Sequence, residues 1–288
     1  MRRLKGLVIA TVTPMREDGS VDWAGLEAHI KDLIDGGAEG LFAAGTTGEG
    51  LLLEEEERVE VVAVTVRAAA GRVPVVGLCG GLTTAQAIRL ARRMRQAGAE
   101  GVAALTPFYY RVDAAAMVAH FRAIADTAGC PLYLYSIPGL TGVSLPVEVV
   151  AALKGHPRFG GLKFSFCDLV QLKQYLSTGA RVLIGCDSLI VQALHAGAAG
   201  TVSGTAACLP APYADLLRIH RSGGDTTAPQ RLGTRLDAIL AGLPPIAGYK
   251  AALKRRGVIA SDAVRSPLRR LTAEEAAGLD AALKEVGL

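Results

Sequence analysis

A lysine inside an apolar segment is the residue of this chain whose type and position point most directly to chemistry. Lys163 lies in Gly160–Phe166 (GGLKFSF), between a leucine and a phenylalanine, whereas the other lysines fall on predicted helices or near the termini. Burial disfavours the charged ammonium form, and a neutral amine attacks a ketone to give an iminium that withdraws electrons. The alternative is a structural lysine paired with a buried carboxylate. The segment alone leaves both interpretations open.

Three further side chains with binding or proton-transfer chemistry follow predicted strands. Thr46 and Thr47 lie in Gly45–Glu49 (GTTGE), where adjacent hydroxyls and flexible backbone N–H groups can hold a carboxylate or a phosphate. A glycine-rich turn with capping threonines is the alternative. Tyr135 shares a strand face with Tyr133, because side chains alternate along a strand, and its phenol can move protons to and from a carbinolamine. A core tyrosine with a satisfied hydroxyl is the other interpretation.

Two other predicted strand ends carry side chains suited to a pocket. The segment Thr106–Tyr110 (TPFYY) ends in aromatic rings that either wall a pocket or contact a neighbouring subunit. Asp187 follows Gly185 and Cys186, and its carboxylate either binds a substrate hydroxyl or caps the next helix. All of these groups meet at one site only if the fold brings the ends of several strands together.

Eight short apolar segments supply the elements that must position these residues. The segments are apolar at nearly every residue, which indicates strands that are buried on both faces and therefore parallel. The predicted strands are Gly6–Thr13, Gly40–Gly45, Val73–Cys79, Gly101–Thr106, Leu132–Ser136, Gly160–Phe166, Val182–Gly185 and Thr201–Gly204. Helical periodicity fills the segments between them, as in the stripe formed by Val59, Val62, Ala63 and Val66.

A short repeat supports a cyclic plan of alternating strands and helices. The segments 37–40, 98–101 and 197–200 each end a predicted helix and enter a strand, with glycine as the helix stop. Eight such units predict an α/β fold, a (β/α)8 TIM barrel, in which active groups lie at the C-terminal ends of the strands. A doubly wound sheet is the alternative. We predict a catalytic barrel over residues 1–222 and a C-terminal helical extension over residues 223–288.

Composition and spacing argue against several classes of function. The 288 residues carry a formal net charge of +4, and arginines such as Arg89 and Arg93 have no aromatic residues interleaved, so no nucleic-acid partner is expected. The histidines are scattered without ligand spacing, so no metal is expected. Neither a Walker pattern nor a GxGxxG after a strand is present, which argues against a nucleotide cofactor.

The cysteines and the N-terminus indicate the cellular compartment in which the protein is expected. An odd number of cysteines, with no pair close in sequence, favours reduced and buried thiols in a cytoplasmic protein over a disulfide framework. The N-terminus lacks the apolar stretch of a signal peptide, and no segment reaches membrane-spanning length, so no membrane association is expected. The cysteines are Cys79, Cys130, Cys167, Cys186 and Cys208.

Five motifs, in order along the chain, resemble the dihydrodipicolinate synthase / N-acetylneuraminate lyase family of class I, pyruvate-dependent aldolases. GTTGE, TPFYY, YSIPGLTG, GLKFS and GCDS each match a family landmark, and the resemblance covers essentially the whole chain. It implies that Lys163 forms a Schiff base, with no other cofactor, and that Tyr135 transfers protons. It also implies that Thr46 and Thr47 hold the pyruvate carboxylate. Tyr109 matches a tyrosine that family members lend to a neighbour's site, and a homotetramer is expected.

The same resemblance indicates which branch of the family is closer. In the synthase branch, an arginine binds the carboxylate of the aldehyde substrate, and Leu140 stands in its place here. A second substrate carboxylate would therefore have no cationic partner. The TPFYY and PGLTG motifs look closer to the neuraminate lyase branch, and Ser165 matches the hydroxyl position of that branch.

Matches and departures in the last two strands leave the rest of the substrate open. By the resemblance, Gly185 and Asp187 belong to the substrate-binding set. Ser188 stands where the neuraminate lyase branch has a glutamate that binds the sugar tail, and Gly204 stands where it has a serine. A shorter or differently hydroxylated 2-oxo-3-deoxy acid fits these positions at least as well as sialic acid does.

These inferences predict a lyase that cleaves or forms a 4-hydroxy-2-oxo acid, with pyruvate and an aldehyde as the other reactants. The expected substrate is a 2-keto-3-deoxy sugar acid or a sialic-acid-like compound. One alternative is a 4-hydroxy-tetrahydrodipicolinate synthase, which joins pyruvate to aspartate semialdehyde, and another is a Schiff-base dehydratase. An alternative of a different class is a non-catalytic sensor that binds a 2-oxo acid without turnover.

Overall fold

Eight parallel strands close into a barrel in which spatial neighbours follow chain order. The structure, a computed structural model, describes residues 1–287. The strands are β1 (Gly6–Ala10), β2 (Gly40–Ala43), β3 (Val75–Leu78), β4 (Gly101–Leu105), β5 (Leu132–Ser136), β6 (Phe159–Phe164), β7 (Val182–Ile184) and β8 (Gly200–Ser203). Because β8 pairs with β1, the sheet has no free edge, so the predicted TIM barrel is confirmed and the doubly wound sheet is excluded.

Helices lie between successive strands and continue after the last one. The barrel helices are α1 (Trp23–Asp35), α2 (Glu55–Ala69), α3 (Thr84–Gln96), α4 (Ala114–Ala128), α5 (Pro138–Thr141), α6 (Val147–Lys154), α7 (Leu169–Ser177), α8 (Ile190–His195) and α9 (Pro210–Arg221), followed by α10 (Thr227–Ala241), α11 (Ala247–Arg255) and α12 (Ala273–Glu285). Short 3-10 turns, Asp187–Leu189 and Thr205–Ala207, follow β7 and β8. Among residues 1–287, no helix is both long and apolar enough to cross a membrane. The division of the chain after residue 222 stays a prediction.

Several strands end earlier than the apolar pattern predicts. β2 ends at Ala43 rather than at Gly45, because Ala44 takes a left-handed conformation with a φ of 52°. β6 ends at Phe164 rather than at Phe166. After β2 the apolar pattern continues because Ala44 and Gly45 are also buried, whereas Phe166 after β6 is 45% exposed. These residues form the loops at the mouth of the barrel.

The repeated glycines act as helix stops, as the sequence predicts. Gly37, Gly98 and Gly197 have φ values of 98°, 100° and 100°, which L side chains rarely adopt. A Cβ atom on Gly37 would also lie 2.7 Å from the Cβ of Ala214. Glycine at these points therefore lets the chain leave each helix and enter the next strand.

The barrel interior is filled by alternate side chains of the strands. These are mainly Val8, Ala10, Phe42, Val76, Leu78, Ala103, Leu105, Tyr133, Tyr135, Leu183 and Val202, while a larger apolar layer separates the strands from the helices. Tyr133 and Tyr135 both face the interior, as alternation predicts. The backbone N–H of Leu4 donates a 2.9 Å hydrogen bond to Tyr133 Oη at the base of the barrel, and burial raises the pKa of Tyr133. Tyr135 therefore lies nearer the mouth.

A buried ion pair ties the C-terminal helices to the loop that follows β2. The ammonium group of Lys250, on α11, contacts the carboxylate of Glu49, and both side chains are inaccessible to solvent. Lys250 Nζ also donates to the Ala263 carbonyl at 2.7 Å, and Glu49 Oε2 accepts from the Arg265 backbone N–H at 2.7 Å. Burial lowers the pKa of Lys250, and the Glu49 carboxylate opposes that shift. The position of the GTTGE loop thus depends on the C-terminal helices.

We predict that Lys250→Met lowers the free energy of unfolding by about 3 kcal/mol or more, because it leaves the Glu49 carboxylate buried and unpaired. The double variant Glu49→Gln/Lys250→Met should recover part of the loss. Lys254→Met is the matched control, since its ion pair with Asp262 is partly exposed and should contribute about 1 kcal/mol or less. Urea unfolding at one protein concentration measures all three. Equal losses for the two single variants would contradict the prediction.

Candidate active site

A cavity of about 390 Å³ opens at the C-terminal ends of the barrel strands and collects most of the predicted site residues. Predicted residues that line it are Thr46, Thr47, Tyr135, Lys163, Ser165, Gly185, Asp187 and Gly204. They come from the loops after β2, β7 and β8 and from the ends of β5 and β6. Because a barrel turns the carboxyl end of every strand to the same side, residues far apart in sequence meet here.

Lys163 lies at the bottom of this cavity between two aromatic rings. Its side chain is almost fully buried, with 4% of its surface exposed, and Nζ lies 4.0 Å from the centre of the Tyr135 ring and 4.3 Å from that of Phe42. Within residues 1–287 no carboxylate forms an ion pair with it, so the structural interpretation based on a buried carboxylate fails. That arrangement belongs instead to Lys250 and Glu49. The Lys163 amine is therefore not held in a salt bridge and faces the cavity.

Tyr135 connects the lysine to the threonine loop. Sheet register places Tyr135 of β5 directly beside Lys163 of β6. Tyr135 Oη lies 3.2 Å from Thr46 Oγ1, and either oxygen can be the donor. An edge-to-face contact with Phe42, 5.7 Å between ring centres, fixes the orientation of the phenol ring. The phenol oxygen thus has a polar partner within the cavity, next to the lysine.

The loop that carries Thr46 and Thr47 is held by its own backbone. The Glu49 N–H donates to the Thr46 carbonyl at 3.0 Å, and the Gly50 N–H donates to the Gly45 carbonyl at 2.9 Å. A Cβ atom on Gly50 would lie 1.8 Å from the Ala44 carbonyl oxygen, so only glycine fits this turn. The loop therefore presents both threonine hydroxyls at a fixed position on the cavity wall.

Ser165 and Gly185 face each other across β6 and β7. A Cβ atom on Gly185 would lie 2.1 Å from Ser165 Oγ, so glycine is needed for this close approach. The backbone N–H of Ser165 continues the sheet ladder by donating to the Ser136 carbonyl at 2.9 Å. The Ser165 side chain is thereby placed on the cavity wall close to Lys163.

Asp187 is a buried carboxylate that does not cap the helix after it. Its side chain is 4% exposed, and Oδ2 accepts a 2.6 Å hydrogen bond from Ser203 Oγ. Oδ1 has no partner in hydrogen-bonding geometry among residues 1–287. Burial raises the pKa of Asp187 to about 6, against the lowering effect of Ser203, and the nearby Asp237 carboxylate raises it further. One oxygen of this buried carboxylate therefore has unfilled hydrogen-bonding capacity.

One wall of the cavity was missed by the sequence predictions. It comes from α10, the turn after it and α11, and its residues include Asp237, Leu240, Leu243, Ile246 and Tyr249. The sequence feature that could have indicated this wall is Asp237, which lies beside the buried stripe of α10 formed by Gly233, Leu236 and Leu240. A carboxylate next to an apolar stripe can face a pocket or a partner protein. The sequence does not indicate which of the two Asp237 faces.

Three predicted residues lie outside the cavity. Tyr109 is 81% exposed and has a positive φ of 73°, which is unusual for a residue with a side chain. Leu140 is 69% exposed and lines a neighbouring apolar cavity of about 300 Å³, which shares Thr46, Ile137, Pro245 and Ile246 with the first. Ser188 Oγ lies 3.1 Å from Cys186 Sγ rather than on the cavity wall.

Two cysteines correct the expectation of reduced thiols. Cys167 and Cys186 form a disulfide, with their Cα atoms 5.5 Å apart, whereas Cys79, Cys130 and Cys208 are free and buried as expected. The prediction was wrong for this pair because the two cysteines are not close in sequence, whereas the loops that carry them, after β6 and β7, are neighbours in the fold. The bond joins the loop after Ser165 to the segment that carries Asp187, and both cysteines line the cavity.

Comparison with known proteins identifies the family. A model of the dihydrodipicolinate synthetase family matches residues 3–286. The chain belongs to this family. It is 37% identical to an uncharacterized DapA-like lyase of Halobacterium salinarum over 99% of this chain and 95% of the other. It is 35% identical to a 4-hydroxy-tetrahydrodipicolinate synthase of Laribacter hongkongensis, over 99% of each chain.

A solved structure of the same family supports the alignment in three dimensions. YagE from Escherichia coli K12, a prophage protein of the dihydrodipicolinic acid synthase family crystallised in complex with pyruvate, superposes with a TM-score of 0.95 at 27% identity and covers 99% of both chains. This member of the dihydrodipicolinate synthetase family is therefore a pyruvate-dependent class I lyase. The comparisons leave the second substrate open.

We predict that Asp187→Asn stabilises the protein at neutral and alkaline pH. Because folding raises the pKa of this carboxyl from 3.8 to about 6, its ionisation opposes folding as pH rises through that interval. The variant, which cannot ionise, should gain about 3 kcal/mol over the wild type near pH 8, and the gain should vanish near pH 4. Urea unfolding across pH measures the difference, with exposed Asp215→Asn as control. A gain that does not change with pH would refute the assignment.

Proposed function

We propose that Lys163 is the Schiff-base lysine of a lyase that cleaves a 4-hydroxy-2-oxo acid to pyruvate and an aldehyde, or runs the reverse aldol addition. The observation that carries this proposal is a buried lysine that has no carboxylate partner among residues 1–287 and lies beside the tyrosine that contacts Thr46. Family membership supplies the pyruvate chemistry, and the geometry supports the assignment of this particular lysine.

In the proposed cleavage, the neutral Lys163 amine attacks the C2 carbonyl of the substrate. Loss of water from the carbinolamine gives an iminium, and Tyr135 moves the protons that this step requires. Tyr135 also takes the C4 hydroxyl proton, the C3–C4 bond breaks, and its electron pair is held as an enamine on Lys163. Protonation at C3 and addition of water then release pyruvate and the free amine.

The substrate carboxylate is assigned to the hydroxyls of Thr46 and Thr47. The backbone of the GTTGE loop is held by its own hydrogen bonds, so the loop itself loses little freedom when the substrate binds. The Ser165 hydroxyl lies on the same cavity wall and is proposed to contact the reacting end of the substrate. Loss of water from a deoxy sugar acid would use the same lysine and the same contacts, so a dehydratase remains the alternative outcome.

For the aldehyde half we propose a 2-keto-3-deoxy sugar acid or a sialic-acid-like substrate. The residues that line the cavity include no arginine, and Leu140 faces the apolar cavity beside it. A Cβ atom on Gly204 would lie 3.3 Å from Tyr249 Oη and 3.5 Å from Thr47 Oγ1, so glycine leaves room for a substrate group between them. The names of relatives such as the Laribacter protein favour the second candidate, a 4-hydroxy-tetrahydrodipicolinate synthase.

We further propose a homotetramer in which Tyr109 of one subunit completes a neighbour's site. Tyr109 and Tyr110 are largely exposed, their rings are 5.0 Å apart, and the backbone strain at Tyr109 is typical of functional positions. Native mass spectrometry tests the assembly. A fully active monomer would refute the shared site.

The decisive experiment for the lysine is chemical trapping. Borohydride should reduce an iminium formed with pyruvate, and peptide mass spectrometry should place the adduct on Lys163. We predict that Lys163→Arg abolishes both the adduct and turnover, because guanidinium cannot form the imine. Lys173→Arg, on the exposed face of α7, is the matched control and should keep both. An adduct on any other lysine, or none, would overturn the assignment.

A panel of second substrates separates the two candidate functions. We expect turnover of 2-keto-3-deoxy sugar acids to exceed condensation of pyruvate with aspartate semialdehyde, since no arginine lines the cavity to bind a second carboxylate. The ratio of kcat/KM values is the measurement. A ratio that favours aspartate semialdehyde would establish the synthase instead.

A further inference from the structure

The aldehyde half of the cavity has an unusual distribution of charge. Of the described residues that line the cavity, only Lys163, Asp187 and Asp237 carry ionisable charge, and Lys163 is consumed by the Schiff base. What remains around the second half of the substrate is a pair of carboxylates with no cation to neutralise them. This arrangement is opposite to that needed to bind a second anionic group.

Asp237 reaches this site from outside the barrel. It lies on α10, is half-buried, and forms no ion pair within residues 1–287. Burial raises the pKa of Asp237. Asp237 is also close enough to raise the pKa of Asp187. The helix therefore holds a partly desolvated carboxylate at the cavity wall, beside the 3-10 turn Asp187–Leu189 that follows β7.

Two buried polar atoms near these carboxylates have unfilled hydrogen-bonding capacity. Asp187 Oδ1 and Thr205 Oγ1 are both inaccessible to solvent and have no partner in hydrogen-bonding geometry among residues 1–287. Both residues line the cavity. An unmade hydrogen bond of a buried polar group is destabilising, so a ligand that reaches these atoms and completes their hydrogen bonds would be stabilised.

We propose that Asp237, together with Asp187, forms a subsite that binds hydroxyl groups of a polyhydroxylated aldehyde and disfavours an anionic one. Asp237 is thus a specificity-determining residue contributed by the C-terminal helices. Hydroxyl groups donate charge-assisted hydrogen bonds to carboxylates, and Thr205 can accept from the same hydroxyl chain. This inference rests on the proposed Schiff-base reaction and names the chemistry of its second substrate.

The test compares aldehydes that differ in the groups that this subsite is proposed to bind or to disfavour, namely hydroxyls and a carboxylate. Pyruvate is condensed with glyceraldehyde, with propanal, which lacks the hydroxyls, and with succinic semialdehyde, which carries a carboxylate. Asp237→Ala should raise the KM for glyceraldehyde about tenfold or more, with little change for propanal, as expected for loss of a charge-assisted hydrogen bond. Asp237→Asn keeps the shape and an acceptor, and should improve succinic semialdehyde relative to glyceraldehyde. Asp215→Ala, exposed on α9, controls for loss of a carboxylate elsewhere.

Exchange of the pyruvate C3 protons with deuterated water reports enamine formation without any aldehyde. Absence of exchange in the wild type would defeat the proposed function itself. If the wild type exchanges, equal KM changes for glyceraldehyde and propanal, or no change for either, would overturn the role of Asp237. A variant that also loses exchange would overturn it as well, because Asp237 would then support the whole site rather than its aldehyde half.

Discussion

The site depends on the amine of Lys163, which lies in an apolar barrel and forms no ion pair with a carboxylate among residues 1–287. Lys163 lies between the rings of Tyr135 and Phe42, with Nζ 4.0 Å and 4.3 Å from the two ring centres. A buried carboxylate beside Lys163 would stabilise the ammonium form and prevent attack on a ketone. The closed barrel makes this environment possible, because it surrounds the lysine with strands on all sides and opens only at the mouth.

A second buried lysine, Lys250, illustrates the alternative arrangement, in which the amine forms an ion pair with a buried carboxylate. Lys250 is as deeply buried as Lys163, but it is paired with Glu49, and this ion pair joins the C-terminal helices to the loop of Thr46 and Thr47. One lysine is therefore available for covalent chemistry, and the other fixes the loop proposed to bind the substrate carboxylate. The difference lies entirely in the neighbouring groups, since the two side chains are chemically identical.

The two halves of the cavity are built from different parts of the chain. The half that is proposed to bind pyruvate is formed by β2, β5, β6 and their loops, which carry the GTTGE, YSIPGLTG and GLKFS motifs. The other half is formed by the loops after β7 and β8 and by α10 and α11, which place Asp187, Asp237 and Tyr249 around the remaining space. This division lets the covalent chemistry stay the same while substitutions in loops and C-terminal helices change the aldehyde.

The sequence by itself predicted the barrel and the positions of Thr46, Tyr135 and Lys163 in or just after its strands, because apolar periodicity and strand-end position are local properties. Only the tertiary structure decided that Lys163 lacks a carboxylate partner, that Cys167 and Cys186 are bonded, and that Asp237 reaches the cavity. Each of these depends on which loops and helices become neighbours when the barrel closes. Side-chain periodicity indicates the buried face of an element, but it contains no information on what packs against that face.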